Sequence, residues 1–569
     1  MAAWTKIAAE KRLRVRAGIP ASLIDMDALA AALPRLLAGK TDVTGIPAAS
    51  GFLNAHELDI TESSLSPLLE NLRTGTWSSV AVTTAFLKRA IIANELTNCL
   101  TEIFPERALE RARELDRIFH DTGKTIGPLH GLPVSVKDQV HIKGVETTMG
   151  WISRIGNISE KNAVSADILE EAGAVLYVKT NIPQTAMWSE SFNHIFGRVK
   201  NPHNITLTGG GSSGGEGALI AMKGSPLGGG TDIGGSIRNP AGYNGLYGLR
   251  PTAGRIPFRG IVTSFEGQDS VRIVHGPLSR SLDGVQLFMQ TMIDARPWTR
   301  DPLCIRKPWE TVDVLREHGG GREPLCFAIM WDDGVVKPHP PVVRGLEKVR
   351  HALLAAGHKV IEWKPHRHQE MVTIVRKIYG AGSFEEYNRE ASASGEPVLA
   401  SMSPDVEGKK VPRQNTDISS HDLYKLQLLK RTIAEEYLDH WNATVAQTGT
   451  GRAVDAIICP VAPSAAPPHG KNLWFGYTGV FNGLDYPSLV IPVTRVDLEK
   501  DATVSERHEF YGPLDEIVYK LYDSPKTFAN APIGVQIVGR SMEDEAVLAM
   551  GQIVDTALKR TATLPLAQL

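Results

Sequence analysis

Gly209-Gly210-Gly211-Ser212-Ser213-Gly214-Gly215-Glu216-Gly217, followed by Gly230-Thr231-Asp232-Ile233-Gly234-Gly235-Ser236-Ile237-Arg238, is the stretch whose reading decides the fold. Fifteen of the 53 glycines of the chain fall between Gly209 and Gly248. Glycine at that density lets the backbone approach other groups closely and adopt positive φ. A serine set among such backbone amides has donors for an oxyanion beside it. The glycine pair ahead of Ser236 lets several amides converge on one point, as in an anion-binding nest. Upstream stands Gly131-Leu132-Pro133-Val134-Ser135-Val136-Lys137-Asp138, whose apolar alternation places Lys137 at the end of a buried strand. Ser236 follows Ser212 by 24 positions, and Ser212 follows Lys137 by 75.

Other readings of the glycine run fail. A phosphate loop requires Gly-x-x-x-x-Gly-Lys-Ser/Thr, and nothing here completes one. Gly209-Gly210-Gly211-Ser212-Ser213-Gly214 fits a dinucleotide fingerprint in its letters only. Ser236 lacks glycine two places on, so it is not the serine of a Gly-x-Ser-x-Gly elbow. No His-Glu-x-x-His motif is present. A serine needs a base to become a nucleophile. The histidines nearest to the core in sequence are His194 and His203.

These phrases resemble the amidase signature family. Further landmarks are Lys179-Thr180-Asn181-Ile182-Pro183-Gln184, Tyr247-Gly248-Leu249-Arg250-Pro251-Thr252, His275-Gly276-Pro277-Leu278-Ser279-Arg280-Ser281 and Pro532-Ile533-Gly534-Val535-Gln536-Ile537-Val538-Gly539. Leu96-Thr97-Asn98-Cys99 and Gly127-Pro128-Leu129-His130 are similar to the fungal acetamidase type within it. The resemblance implies a Ser-cisSer-Lys triad. Ser236 is the nucleophile, Lys137 the base, and Ser212 the bridge, held through a cis Gly211–Ser212 bond. It assigns the oxyanion hole to the backbone N–H groups of Ile233, Gly234, Gly235 and Ser236. Ser213, Thr231, Asp232 and Arg238 would support the loop. Ala186, Met187 and Trp188, with Trp151 and Phe192, stand where pocket or core residues are expected. The implied activity is hydrolysis of carboxylic amides, with esters and carbamates in range, to acid plus ammonia or amine through an acyl-serine intermediate. The alternatives are a fatty-acid-amide-type hydrolase and an amidotransferase subunit. No cofactor and no metal are expected, and a homodimer is an open assembly.

Composition fits this. The chain of 569 residues is 42% apolar and 22% charged, with a net charge of −2, which speaks against a nucleic-acid surface. Cys99, Cys304, Cys326 and Cys459 have no metal or disulfide spacing, so a reducing, cytoplasmic setting is expected. The charged N-terminus lacks the apolar segment of a secretory signal. No apolar run is long enough to span a membrane. The ending Ala567-Gln568-Leu569 is a weak match to a peroxisomal address.

Along the chain, apolar runs predict strands over Pro133–Val136, Ala174–Val178, Cys326–Met330, Ala456–Cys459, Ser488–Val493 and Gly534–Val538. Helical spacing marks Leu65–Leu72, a helix capped by Ser78 or Ser79, Ala108–Phe119, Ala163–Ala172, Val342–Ala356, Leu423–Val445 and Glu543–Leu558. Strand–helix alternation means an α/β architecture. With the resemblance it predicts a single α/β/α domain, a mixed twisted central sheet covered by helices on both faces. The expected organisation is an N-terminal helical arm over residues 1–60 and the signature domain over 61–569, its serine–lysine core at about 130–260. Polar stretches near 401–420 and 497–525 read as surface insertions.

Overall fold

In the computed structural model, an 11-stranded mixed sheet runs through the middle of the protein. Residues 2–321, 323–399, 405–406, 409–410, 418–502 and 506–563 are described. In chain order the strands are β1 Leu100–Ile103, β2 Pro133–Lys137, β3 Val175–Thr180, β4 Leu227–Asp232, β5 Tyr247–Arg250, β6 Val274–Ser279, β7 Cys326–Ile329, β8 Lys359–Glu362, β9 Ala456–Pro460, β10 Ser488–Arg495 and β11 Pro532–Val538. In space the order is β1-β3-β2-β4-β6-β5-β10-β11-β9-β7-β8. Strand β2 is parallel to β3 and β4, and β7 is parallel to β8 and β9. The other neighbours are antiparallel.

Side-chain alternation explains why helices cover both faces. In β7, Phe327 and Ile329 enter one core, and Cys326 and Ala328 enter the other. In β9, Ala456 and Ile458 face the first core, Ile457 and Cys459 the second. The first core is closed by helices Ser79–Thr97, Leu282–Asp294, Pro340–Ala355 and Asp544–Thr563, through residues such as Phe86, Phe288, Leu346 and Val547. The second is closed by His368–Gly380, Ser420–Ala443 and Gly476–Leu484, through Val375, Tyr437 and Phe481. The expected α/β architecture with a mixed central sheet is therefore the observed one.

Local signals place several elements. Ser78 caps helix Ser79–Thr97, its side chain accepting from the Ala81 N–H at 3.1 Å. Helices at Ala3–Ala17, Met26–Leu37, Ile46–Ala49 and Ala55–Glu62 occupy the first sixty residues. Leu29, Leu36, Ile46 and Ile60 join the first core, and buried Lys11 pairs with Glu102 and, at 3.1 Å, with Glu146.

Two expectations change. The stretch near 497–525 is not all irregular, because Pro513–Lys520 is a helix with Asp515 and Val518 buried. Strands β1, β4, β5, β6 and β8 are absent from the sequence reading; in β4, β5 and β6 glycine, proline and polar residues hide the strand. Most of the stretch near 401–420, and the Ala567-Gln568-Leu569 ending, lie outside the described residues. No described helix is long and apolar enough to cross a membrane.

Candidate active site

The two central parallel strands bring the site together. Strand β2 pairs with β4 through Val134–Leu227, Ser135–Gly228 and Val136–Gly229, so Lys137 emerges beside Thr231 and Asp232 at the C-terminal ends of both. Ligand sites of α/β sheets lie at that end. Glycine is required in β4 by close approach. A Cβ on Gly230 would stand 2.9 Å from Ser213 Oγ. That approach lets Ser213 bridge to the strand, its Oγ lying 3.3 Å from both the carbonyl and the N–H of Thr231.

Lys137 is fully buried. Its Nζ lies 2.6 Å from Ser212 Oγ and 2.8 Å from Thr231 Oγ1. Burial pulls its pKa down to about 7, against the opposing pull of Asp232, Glu216 and Asp138. Below it, Glu216 accepts from Ser135 Oγ at 2.6 Å and from Thr180 Oγ1 at 3.0 Å. Burial raises the Glu216 carboxyl to about 8, with those hydrogen bonds and Lys137 opposing. The Gly211–Ser212 peptide is cis. Ser191 holds the segment, its Oγ donating to the Gly210 and Ser212 carbonyls at 3.1 and 3.2 Å.

Ser236 is joined to the serine pair through its backbone, its carbonyl accepting from the Ser213 N–H at 3.2 Å. The turn ahead of it is strapped from several directions. Asp232 accepts from the N–H groups of Gly235 at 2.9 Å and Ile237 at 3.1 Å, from Arg238 Nε and Nη2 at 3.0 Å each, and from Asn482 Nδ2 at 2.9 Å. Burial works against its charge, but the Arg238 guanidinium outweighs that and holds the carboxyl well below the usual range. Arg238 also reaches the Thr478 carbonyl at 3.0 Å, Gln536 Oε1 at 3.2 Å and Asn482 Oδ1 at 2.6 Å. Tyr379 donates to the Ile233 carbonyl, and Thr478 Oγ1 donates to the Gly234 carbonyl at 2.7 Å. Gly235 sits at φ 124°, and a Cβ there would stand 2.3 Å from Thr478 Oγ1.

The four amides expected as anion donors differ in what they already bond. The Gly235 N–H, expected among four donors, is committed to Asp232. The amides of Ile233, Gly234 and Ser236 donate to no protein acceptor among the described residues. The arrangement therefore offers a desolvated amine, a hydroxyl bonded to it, and three unspent amides at one turn. That is the equipment for moving a proton and stabilising an oxyanion.

The other predicted residues divide. Trp188 and Glu190 press on the serine loop, since a Cβ on Gly211 would lie 2.5 Å from the Trp188 carbonyl oxygen and the Glu190 nitrogen. Met187 packs with the cluster that holds Ile233. Ala186 is buried with Met149, Trp151, Ile182 and Tyr387. Phe192 lies under Arg198, 4.4 Å from its ring centre. Neither histidine joins the site: His194 meets the Pro397 carbonyl, and His203 meets the Asn244 carbonyl. A cavity of about 700 Å³ opens between Phe265, Gln268, Ile378, Leu423 and Lys430. Phe265 stacks on Tyr379 at 5.8 Å, so one wall of the cavity touches the ring that holds the Ile233 carbonyl. Sequence reasoning missed Tyr379, Thr478 and Asn482, which carry no motif signal. Gln536 stood in a recognised landmark, Pro532 to Gly539, without a role.

Comparison with known proteins gives the chain its relatives. The amidase family profile matches residues 81–548. An acetamidase of Aspergillus oryzae is 42% identical over 558 residues, covering 98% of this chain and 99% of its own length. An acetamidase of Emericella nidulans is 40% identical over 565 residues, with 98% and 99% coverage. Among solved structures, a fatty acid amide hydrolase superposes with a TM-score of 0.88 at 33% identity, covering 98% of this chain and 95% of that one.

Proposed function

The chain belongs to the amidase family and hydrolyses carboxylic amides, and we propose that Ser236, Ser212 and Lys137 carry out the reaction. The observation that carries this reading is the 2.6 Å contact between Ser212 Oγ and the buried Lys137 Nζ, beside a turn with three unspent amides. Ser236 Oγ attacks the amide carbonyl and passes its proton to Ser212, whose own proton goes to neutral Lys137. The amides of Ile233, Gly234 and Ser236 receive the oxyanion. Lys137 returns the proton through Ser212 to the leaving amine. Water then attacks the acyl-serine by the same relay and releases the acid.

Small neutral amides are the proposed substrates, supported by the acetamidases at about 40% identity. A second reading, long-chain amides, draws on the cavity of about 700 Å³ beside Tyr379, which exceeds the needs of acetamide. A panel of acetamide, benzamide, an anilide, oleamide and ethyl carbamate, ranked by kcat/KM, decides between them. Oleamide at the top supports the second reading. No turnover of any amide, with purified folded enzyme, overturns both. A reducing, cytoplasmic setting belongs to the same proposal, supported by four unpaired cysteines. So does an organisation in which the first sixty residues form an arm of one domain, supported by the core they share with it.

A further inference from the structure

Gln139 stands two residues beyond Lys137, fully buried, and no role described so far uses it. Chemistry fixes which way its amide faces. Its Nε2 donates at 2.6 Å to the Val262 carbonyl, a group that only accepts. The main chains of the two residues are joined as well, Val262 N–H to the Gln139 carbonyl at 3.0 Å. The amide oxygen Oε1 is therefore the atom 2.9 Å from Thr231 Oγ1. An amide oxygen only accepts, so the Thr231 hydroxyl proton goes to Gln139. Thr231 Oγ1 is left to accept from Lys137 Nζ at 2.8 Å. A neutral lysine has two N–H donors and one lone pair. With one N–H drawn to Thr231, the lone pair is free for Ser212 Oγ, 2.6 Å away. In the opposite polarity the Thr231 hydroxyl would donate into that lone pair, and the Ser212 proton would have no acceptor.

We propose that Gln139 is a positioning residue that sets the direction of the hydrogen-bond chain from Val262 through Thr231 to Lys137, so that the neutral lysine presents its lone pair to Ser212. This rests on the serine–lysine reading above. Asp232, Glu216, Asp138 and the buried His275 are the ionisable groups that face Lys137. Changing Gln139 to an uncharged residue removes none of them.

Two variants test the proposal. Gln139→Met keeps the length and buries no new charge but has no amide oxygen, so the Thr231 hydroxyl is free to turn toward Lys137. Gln139→Glu keeps the direction. Protonated, it donates to the Val262 carbonyl and accepts from Thr231 on its other oxygen; ionised, it still accepts. On the alkaline plateau, with the best amide of the panel, Gln139→Met should lose roughly tenfold to a hundredfold in kcat, a part of what a positioned base contributes. Its KM should stay within about twofold. Gln139→Glu should recover kcat to within about threefold of wild type. Equal loss in both variants, unchanged kcat in Gln139→Met, or a change confined to KM would each overturn the proposal. Lys137→Ala, measured beside them, separates the two levels. If it turns over at the wild-type rate, the serine–lysine reading has failed. If it is inactive while Gln139→Met keeps full kcat, only the role of Gln139 has failed.

Discussion

Protonation of Lys137 should switch amide hydrolysis off near neutral pH. The amine is fully buried, and burial takes its pKa from 10.5 down to about 7 against the pull of Asp232, Glu216 and Asp138. That difference amounts to about 5 kcal/mol against the ammonium form. The sign follows from the task. The base works when neutral, so activity is present above the folded-state pKa and is lost as pH falls through it. With one proton involved, kcat/KM should stand at half its plateau near pH 7, at about a tenth near pH 6 and at about a hundredth near pH 5. A lysine left at its ordinary value would be only ~0.03% neutral at pH 7 and would place the limb in the strongly alkaline range. The assay is initial rate at substrate far below KM, from about pH 5 to about pH 10 at constant ionic strength, for wild type and Lys137→Ala. A wild-type midpoint above about pH 9 would refute the desolvation argument. An unchanged limb in Lys137→Ala would refute the assignment of the base. His194 and His203 would not inherit the role, because each is tied to a backbone carbonyl elsewhere.

Ser236→Ala should abolish turnover without lowering Tm, and Ser212→Ala should fall within about tenfold of it, because residues of one catalytic unit fail together. Ser212→Ala that keeps more than about half of wild-type kcat/KM contradicts the relay. Asp232→Asn strands the Arg238 guanidinium in a fully buried site and should lower stability by about 3–5 kcal/mol in urea unfolding. A loss below about 1 kcal/mol would mean that Thr478, Asn482 and Gln536 hold Arg238 without it. Tyr379→Phe removes the donor to the Ile233 carbonyl and should lower kcat about tenfold with KM unchanged, less than loss of an oxyanion donor itself. Unchanged kcat in steady-state assays would show that the turn keeps its shape without the hydroxyl.

Much of the frame was legible because it is written locally. β2, β3, β7, β9, β10 and β11 are apolar runs, and their ends fall within a few residues of the expected ones. β4 was not legible as a strand. Leu227-Gly228-Gly229-Gly230-Thr231-Asp232 carries the composition of a turn, and glycine is there because Glu216, His275 and Ser213 leave no room for a Cβ. β5 and β6, with Gly248, Gly276 and Pro277, were hidden for the same reason. At the site, Lys137, Ser212 and Ser236 stand in three readable phrases spread over a hundred positions, and the structure gathers their surroundings at the ends of two adjacent strands. The straps were illegible. The contacts from Tyr379 to Ile233 and from Thr478 to Gly234 join residues 146 and 244 positions apart, and only the folded sheet makes them neighbours.

That long reach has a bearing on how the protein is made. Synthesis proceeds from the N-terminus, and domains fold as the chain emerges. Lys137, Ser212 and Ser236 leave the ribosome early. Arg238, which holds Asp232 and with it the turn before Ser236, must wait for Thr478, 240 positions later, and for Gln536, 298 positions later. A nascent chain that has reached residue 470 carries Lys137, Ser212, Ser236 and Tyr379, but lacks Thr478, which holds the Gly234 carbonyl, and Asn482 and Gln536, which help to hold Arg238. Completion of the framework around the turn is thus deferred almost to the end of translation, long after Lys137, Ser212 and Ser236 have emerged.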